Sequence, residues 1–144
     1  MIRGGFCINI KDSPQYQLYY WTKVLNNNIN KLIKGNISSR SVYATIINRA
    51  YYSAYSYTLF WLEENYSFRF KSNNYYSAIG EKPVSKHKQV RKELKFKNSS
   101  SSFLLQKLFN LRIIADYKLN EDLTRDDVNY AIEMMDDVVK SLNF

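Results

Sequence analysis

Within Leu111-Arg112-Ile113-Ile114-Ala115-Asp116-Tyr117 the chain sets a permanent cation, a carboxylate and a phenol close together. On a helix Arg112 and Asp116 are i,i+4 neighbours that meet on one face, with Tyr117 one position further round. A guanidinium so placed can clamp a phosphate through two parallel N–H donors. It can equally close an ordinary helix-end salt bridge with an aromatic packed beside it. A second arginine stands among small and aromatic residues in Asn48-Arg49-Ala50-Tyr51-Tyr52-Ser53-Ala54. The one histidine of the sequence, His87, falls between these stretches in Ser85-Lys86-His87-Lys88. Imidazole is the side chain that ordinarily changes charge near neutral pH. His87 serves as a base if it reaches Arg112 in space, and as a cap or surface residue if it does not.

Taken in order, Asn48-Arg49-Ala50-Tyr51-Tyr52, then Ser85-Lys86-His87-Lys88, then Leu111-Arg112 to Ala115-Asp116-Tyr117 resemble the HEPN superfamily. The likeness is to its small stand-alone prokaryotic branch, associated with toxins and defence, and runs from about Ser38 to the C-terminus. It implies an all-α, HEPN-like up-down bundle of four to five helices and a homodimer. It further implies metal-independent RNA cleavage at the dimer seam, within toxin–antitoxin or antiviral systems in which a small nucleotidyltransferase is the antitoxin. Active ribonucleases of the superfamily carry an arginine and, after a short spacer, a histidine. Here Tyr117 stands where that histidine would. Tyrosine titrates near 10, so it is a poor base at neutral pH.

Metal-free RNA cleavage requires a base for the 2′-hydroxyl proton and a cation for the charge that builds on the phosphorane. Arg112 suits the second task, and Tyr117 or His87 must supply the first. The other class of answer is a catalytically silent helical interaction module, with Arg112, Asp116 and Tyr117 as a structural network that binds a partner such as a nucleotidyltransferase. Arg49, in a crowded helix, must be paired if it is buried, and the expected partner is Asp116.

The elements that must hold these residues are helical. Four glycines and two prolines are too few for a fold built on tight turns, and 45% hydrophobic residues allow a core. At 144 residues one domain is expected, over 13–144, with an N-terminal arm over 1–12 around Gly4 and Gly5. The single cysteine excludes an internal disulfide, and one histidine makes a histidine-based metal site unexpected. No cofactor is implied. Neither a bilayer-spanning run nor a signal peptide is legible, so a cytoplasmic protein that does not enter membranes is expected.

Charge is concentrated. The net charge is +8, and residues 69–97 hold nine Lys/Arg against Glu81 and Glu93. Such segments attract phosphate backbones through counterion release, so RNA is the expected partner and Lys86, Lys88, Arg91, Lys92 and Lys95 the expected contacts.

Along the chain, Ser13-Pro14 reads as N-cap and first helical residue. Leu18, Trp21, Leu25, Ile29 and Leu32 form one apolar stripe closed by Gly35-Asn36. Asn26 to Asn28 are too few to interrupt it. A second, most buried helix runs from Ser38 or Ser39 to about Glu64 through Ile46, Ala50, Ala54, Tyr57 and Trp61. Tyr66 to Val84 is expected to be irregular, with aromatics interleaved with bases that suit single-stranded nucleic acid or pack on the bundle. A basic helix follows over Ser85 to Lys95, then a polar turn and N-cap at Ser99 to Ser102. A fourth helix ends near Tyr117. The last opens with a Thr124–Asp127 capping box.

Overall fold

The computed structural model describes residues 9–35 and 38–143, so most of the expected arm, residues 1–8, lies outside the described residues. The fold is all-α. Among the described residues a short 3-10 turn, Ile10–Asp12, precedes seven helices: α1 Pro14–Asn27, α2 Ile29–Lys34, α3 Ser39–Tyr66, α4 Asn73–Ala78, α5 Lys86–Lys97, α6 Ser99–Tyr117 and α7 Arg125–Ser141. The expectation of a four- to five-helix bundle is therefore corrected.

Two local causes account for the extra helices. The first expected helix is broken at Asn28, whose side-chain amide donates to the Val24 carbonyl at 2.8 Å while its backbone leaves helical geometry at φ −105, ψ 13. Asparagine competes for backbone partners in this way, so the short Asn run does override the periodicity. Gly35 ends α2 at φ −83 rather than in the left-handed conformation expected of a glycine cap. The second cause lies in the segment expected to be irregular. There the Ser72 side chain caps Tyr75 N–H and starts α4.

α3 is the axis of the molecule, packing along α7, α6 and α1, while α6 also packs on α7 and α5. Ile46, Ile47, Ala50, Tyr51, Ala54 and Leu62 are fully or almost fully buried on it, and each large apolar side chain so buried stabilises the fold by roughly 1.5–3 kcal/mol. Leu105 and Leu108 of α6 and Val128, Ala131 and Met135 of α7 complete the same core. Shaving Leu105 to alanine would cost about 2–5 kcal/mol through lost burial and the cavity left behind.

α1 turns a different face inward than its apolar stripe suggests. Trp21 is 58% exposed, whereas Tyr19 and Thr22 are buried. Polar pairing decides this orientation. Thr22 and Ser53 share a hydrogen bond at 2.9 Å, and Tyr19 donates to Asp136 of α7 at 2.5 Å. Ser13 caps α1 ahead of Pro14, and the Thr124–Asp127 capping box opens α7. The serines expected to form a turn are instead the first turn of α6, capped by Asn98. Ser101 bonds Ser141 and Ser102 bonds the Arg91 carbonyl.

Candidate functional site

Where α3, α5 and α6 meet, the three stretches carrying the chemistry come together. Asn48, Tyr52 and Tyr55 recur at three- and four-residue intervals and so share a flank of α3, with Tyr51 beside them. His87 sits in the first turn of α5, capped by Ser85, and α6 supplies Phe109, Arg112 and Asp116. The imidazole is enclosed by rings: centroids lie 4.5 Å from Tyr55, 5.6 Å from Tyr51 and 6.0 Å from Tyr52. Its Nδ1 shares a 2.6 Å hydrogen bond with the hydroxyl of the fully buried Tyr51. Among the described residues no hydrogen bond is made to Nε2.

Two guanidiniums bear on this ring. Arg112 lies over Tyr51, Tyr52 and Tyr117, with its carbon 5.9, 5.3 and 5.3 Å from their centroids. It pairs with Asp116 at 2.8 Å and donates to the Tyr52 hydroxyl at 3.1 Å and the Tyr117 hydroxyl at 3.5 Å. Arg91, one turn after His87, covers the Phe109 ring at 4.3 Å. Burial lowers the pKa of His87, and the charges of Arg112 and Arg91 lower it further, because both factors disfavour imidazolium. Burial raises the Tyr51 pKa strongly against an opposing pull from Arg91, so the phenol keeps its proton. Burial also works against the charge of Arg112, but Tyr52, Asp116 and Tyr117 outweigh it and hold the proton more firmly than in an ordinary arginine.

The expected contacts are brought together in part. His87, Arg112 and Tyr117 form one cluster, although Tyr117 is 67% exposed at the end of α6. The expected Arg49–Asp116 ion pair is corrected. Arg49 is exposed, and the α3 side chain bound to Asp116 is its neighbour Asn48, donating at 2.8 Å. One residue along a helix is a rotation of about 100°, enough to carry Arg49 off the α6 side. Of the five basic contacts, Lys86, Lys88, Lys92 and Lys95 are exposed, while Arg91 is half-buried toward Phe109. Arg91, Tyr52, Tyr55 and Phe109 join the cluster without having been singled out for it. The i,i+4 spacing of His87 with Arg91 was the available signal.

The arrangement presents an imidazole held neutral beside two fixed cations and a phenol. A neutral imidazole can take a proton, and paired guanidiniums stabilise a phosphorane or bind a phosphodiester. Among the described residues no three of His, Cys, Asp and Glu gather as a metal-binding group, and no helix is long and apolar enough to cross a membrane. Comparison with family models, curated proteins and solved structures returns no match.

Proposed function

We propose that the chain is an RNA-binding, metal-independent endoribonuclease of the HEPN kind. The observation that carries this reading is His87, bonded through Nδ1 to Tyr51 and set among the Tyr51 and Tyr52 rings over which Arg112 lies. In the productive tautomer Nδ1–H donates to the Tyr51 oxygen, which leaves the Nε2 lone pair free. Nε2 then removes the 2′-hydroxyl proton, and the 2′-oxygen attacks the adjacent phosphorus. Arg112 and Arg91 stabilise the charge on the phosphorane oxygens, and the Tyr117 hydroxyl gives its proton to the departing 5′-oxygen. The products are a 2′,3′-cyclic phosphate and a 5′-hydroxyl. Lys86, Lys88, Lys92 and Lys95, exposed along α5, hold the strand through its phosphates.

The resemblance extends this reading to a cytoplasmic homodimer acting as the toxin of a toxin–antitoxin or antiviral system, with a nucleotidyltransferase as antitoxin. Labelled RNA incubated with the purified protein and chelator tests the chemistry. The expected result is cyclic-phosphate fragments, with rates reduced about 10²–10³-fold in Arg112→Ala, on the scale of removing one oxyanion donor. Intact RNA, or cleavage indifferent to that substitution, would eliminate the enzyme reading.

One observation favours the silent-module reading instead. Arg112 already has partners in Asp116 and Tyr52, as a purely structural arginine would. In that reading the same RNA binds and is released intact, and capture of a nucleotidyltransferase is the function.

A further inference from the structure

The opposite flank of α5 carries a second feature. His87 and Arg91 share one side of this helix, whereas Lys92, Glu93 and Phe96, with Gln89, fall on the other by helical spacing. That other side opens into a cavity of about 230 Å³ walled by Phe68, Tyr75, Tyr76 and Phe96. Pockets for drug-sized ligands run roughly 300–1,000 Å³, so this one suits a single planar ring system. Phe96 is 76% exposed, a large apolar face with no core to fill.

The cavity is built rather than left over. The buried Gln89 accepts from Lys71 N–H at 2.8 Å and donates to the carbonyls of Val84, at 2.9 Å, and Lys71, at 3.3 Å. One side chain thus ties both arms of the α3–α5 connection to α5. Ser67 turns the chain out of α3 in the left-handed conformation, φ 53, and Gly80, φ 75, turns it out of α4. Tyr76 is buried and anchors α4.

Both signs of charge line the opening. Arg69, Lys71 and Lys92 line it together with two carboxylates, Glu81 and Glu93. Carboxylates within the lining disfavour a phosphate inside but accept hydrogen bonds from the N–H edge of a nucleobase. The cations, with neighbouring Lys82 and Lys95, suit the phosphates that flank such a base. Lys71 already lies 4.6 Å over the Tyr75 ring and Lys86 5.2 Å over Phe70, so cation and ring surfaces alternate across this flank.

We propose that this cavity receives the base of one unpaired nucleotide, held against Phe96 and Tyr75, in the same RNA strand whose phosphodiester reaches His87 around α5. This rests on the RNA reading of the His87–Arg112 cluster. It adds a requirement for single-stranded RNA with a base present a short distance from the cleaved bond.

Fluorescence anisotropy with a short single-stranded RNA made uncleavable by 2′-O-methyl sugars, the same strand lacking bases, and a blunt duplex of the same chemistry tests it. The expected order of affinity is intact single strand, then base-free strand, then duplex. Phe96→Ala should weaken intact-strand binding about 5- to 150-fold, the range of losing one stacked base, and should leave base-free binding unchanged. Its exposed position predicts an unaltered circular dichroism spectrum and melting temperature. Phe96→Trp should restore binding and be quenched by the intact strand. Equal affinity for intact and base-free strands, or Phe96→Ala binding as wild type while Arg112→Ala binds less, would overturn the pocket and leave the cluster's reading standing. An acidic peptide competing as well as intact RNA would overturn it in favour of a protein partner. Failure of the wild type to bind any of the RNAs would overturn the RNA reading itself.

Discussion

Two arginines bear on the C-terminal part of α6, and they do different things. Arg40, at the start of α3, reaches the C-terminal end of α6. It donates to the carbonyls of Ile114 at 3.3 Å, Ala115 at 3.4 Å, Lys118 at 2.9 Å and Glu121 at 2.9 Å. Those carbonyls lie at the last turn of α6 and in the loop after it, where Ile114 and Lys118 also accept from backbone N–H groups, and a cation there meets the negative end of the helix dipole. Arg112, one turn before that end, donates to no backbone carbonyl among the described residues. Its partners are a carboxylate, two phenol oxygens and three aromatic faces. The contrast separates an arginine that finishes a helix from one presented beside the His87 cluster. Arg40 is held by four backbone carbonyls, whereas the tyrosine hydroxyls and ring faces around Arg112 can yield to a phosphate without disturbing the backbone.

The largest expected effect follows from that difference. Arg112→Ala should lower cleavage about 10²–10³-fold, whereas Arg40→Ala should lower stability and leave cleavage unchanged. Denaturant melts of the Arg40→Ala protein should show a loss of about 1–2 kcal/mol, on the scale of forfeited charge-assisted hydrogen bonds that are partly replaced by water. Were Arg40→Ala to abolish cleavage at unchanged stability, the division between the two would be wrong. Next in size, Lys95→Ala should weaken RNA binding across sequences and reduce the slope of log K against log salt by about 1. An unchanged slope would take Lys95 off the phosphate path.

The smallest effect is on stability against pH. His87 has a folded-state pKa below its ordinary value of about 6.5. Its contribution is therefore fully present above pH 6.5 and is lost as pH falls through that value toward the lowered one, because the unfolded chain then binds the proton first. Melts of wild type and His87→Gln between pH 7.5 and about 5 should converge in the acid limb if this holds. Parallel curves would contradict it.

Helix identity was legible where a long, regular apolar stripe was not broken by a side chain competing for the backbone. α3, α6 and α7 carry stripes that tertiary packing reinforces, and Thr124 and Asp127 announce the start of α7 in four residues. What stayed hidden turned on single side chains. Asn28 breaks a helix through one amide, and Ser72 starts α4 through one hydroxyl. The site was half legible for a related reason. Arg112, His87 and Tyr117 stand out by chemical type, but which α3 residue faces Asp116 depends on the exact rotation of α3. That rotation puts Asn48 there and Arg49 in solvent. Arg91 reads as one more base in a basic segment until Phe109 is seen beneath its guanidinium. Sequence spacing reports which residues share a helix face, but it does not report what a neighbouring helix brings to that face.

His87 is the sole histidine of the sequence, so its imidazole gives one unambiguous resonance set. A nitrogen-15 NMR titration would report both its pKa and which ring nitrogen holds the proton. The expected midpoint lies below the ordinary histidine value, with a neutral form protonated at Nδ1 and a rise toward the ordinary value in Arg112→Ala. A midpoint at or above the ordinary value that Arg112→Ala does not move would contradict that expectation, as would a neutral form protonated at Nε2.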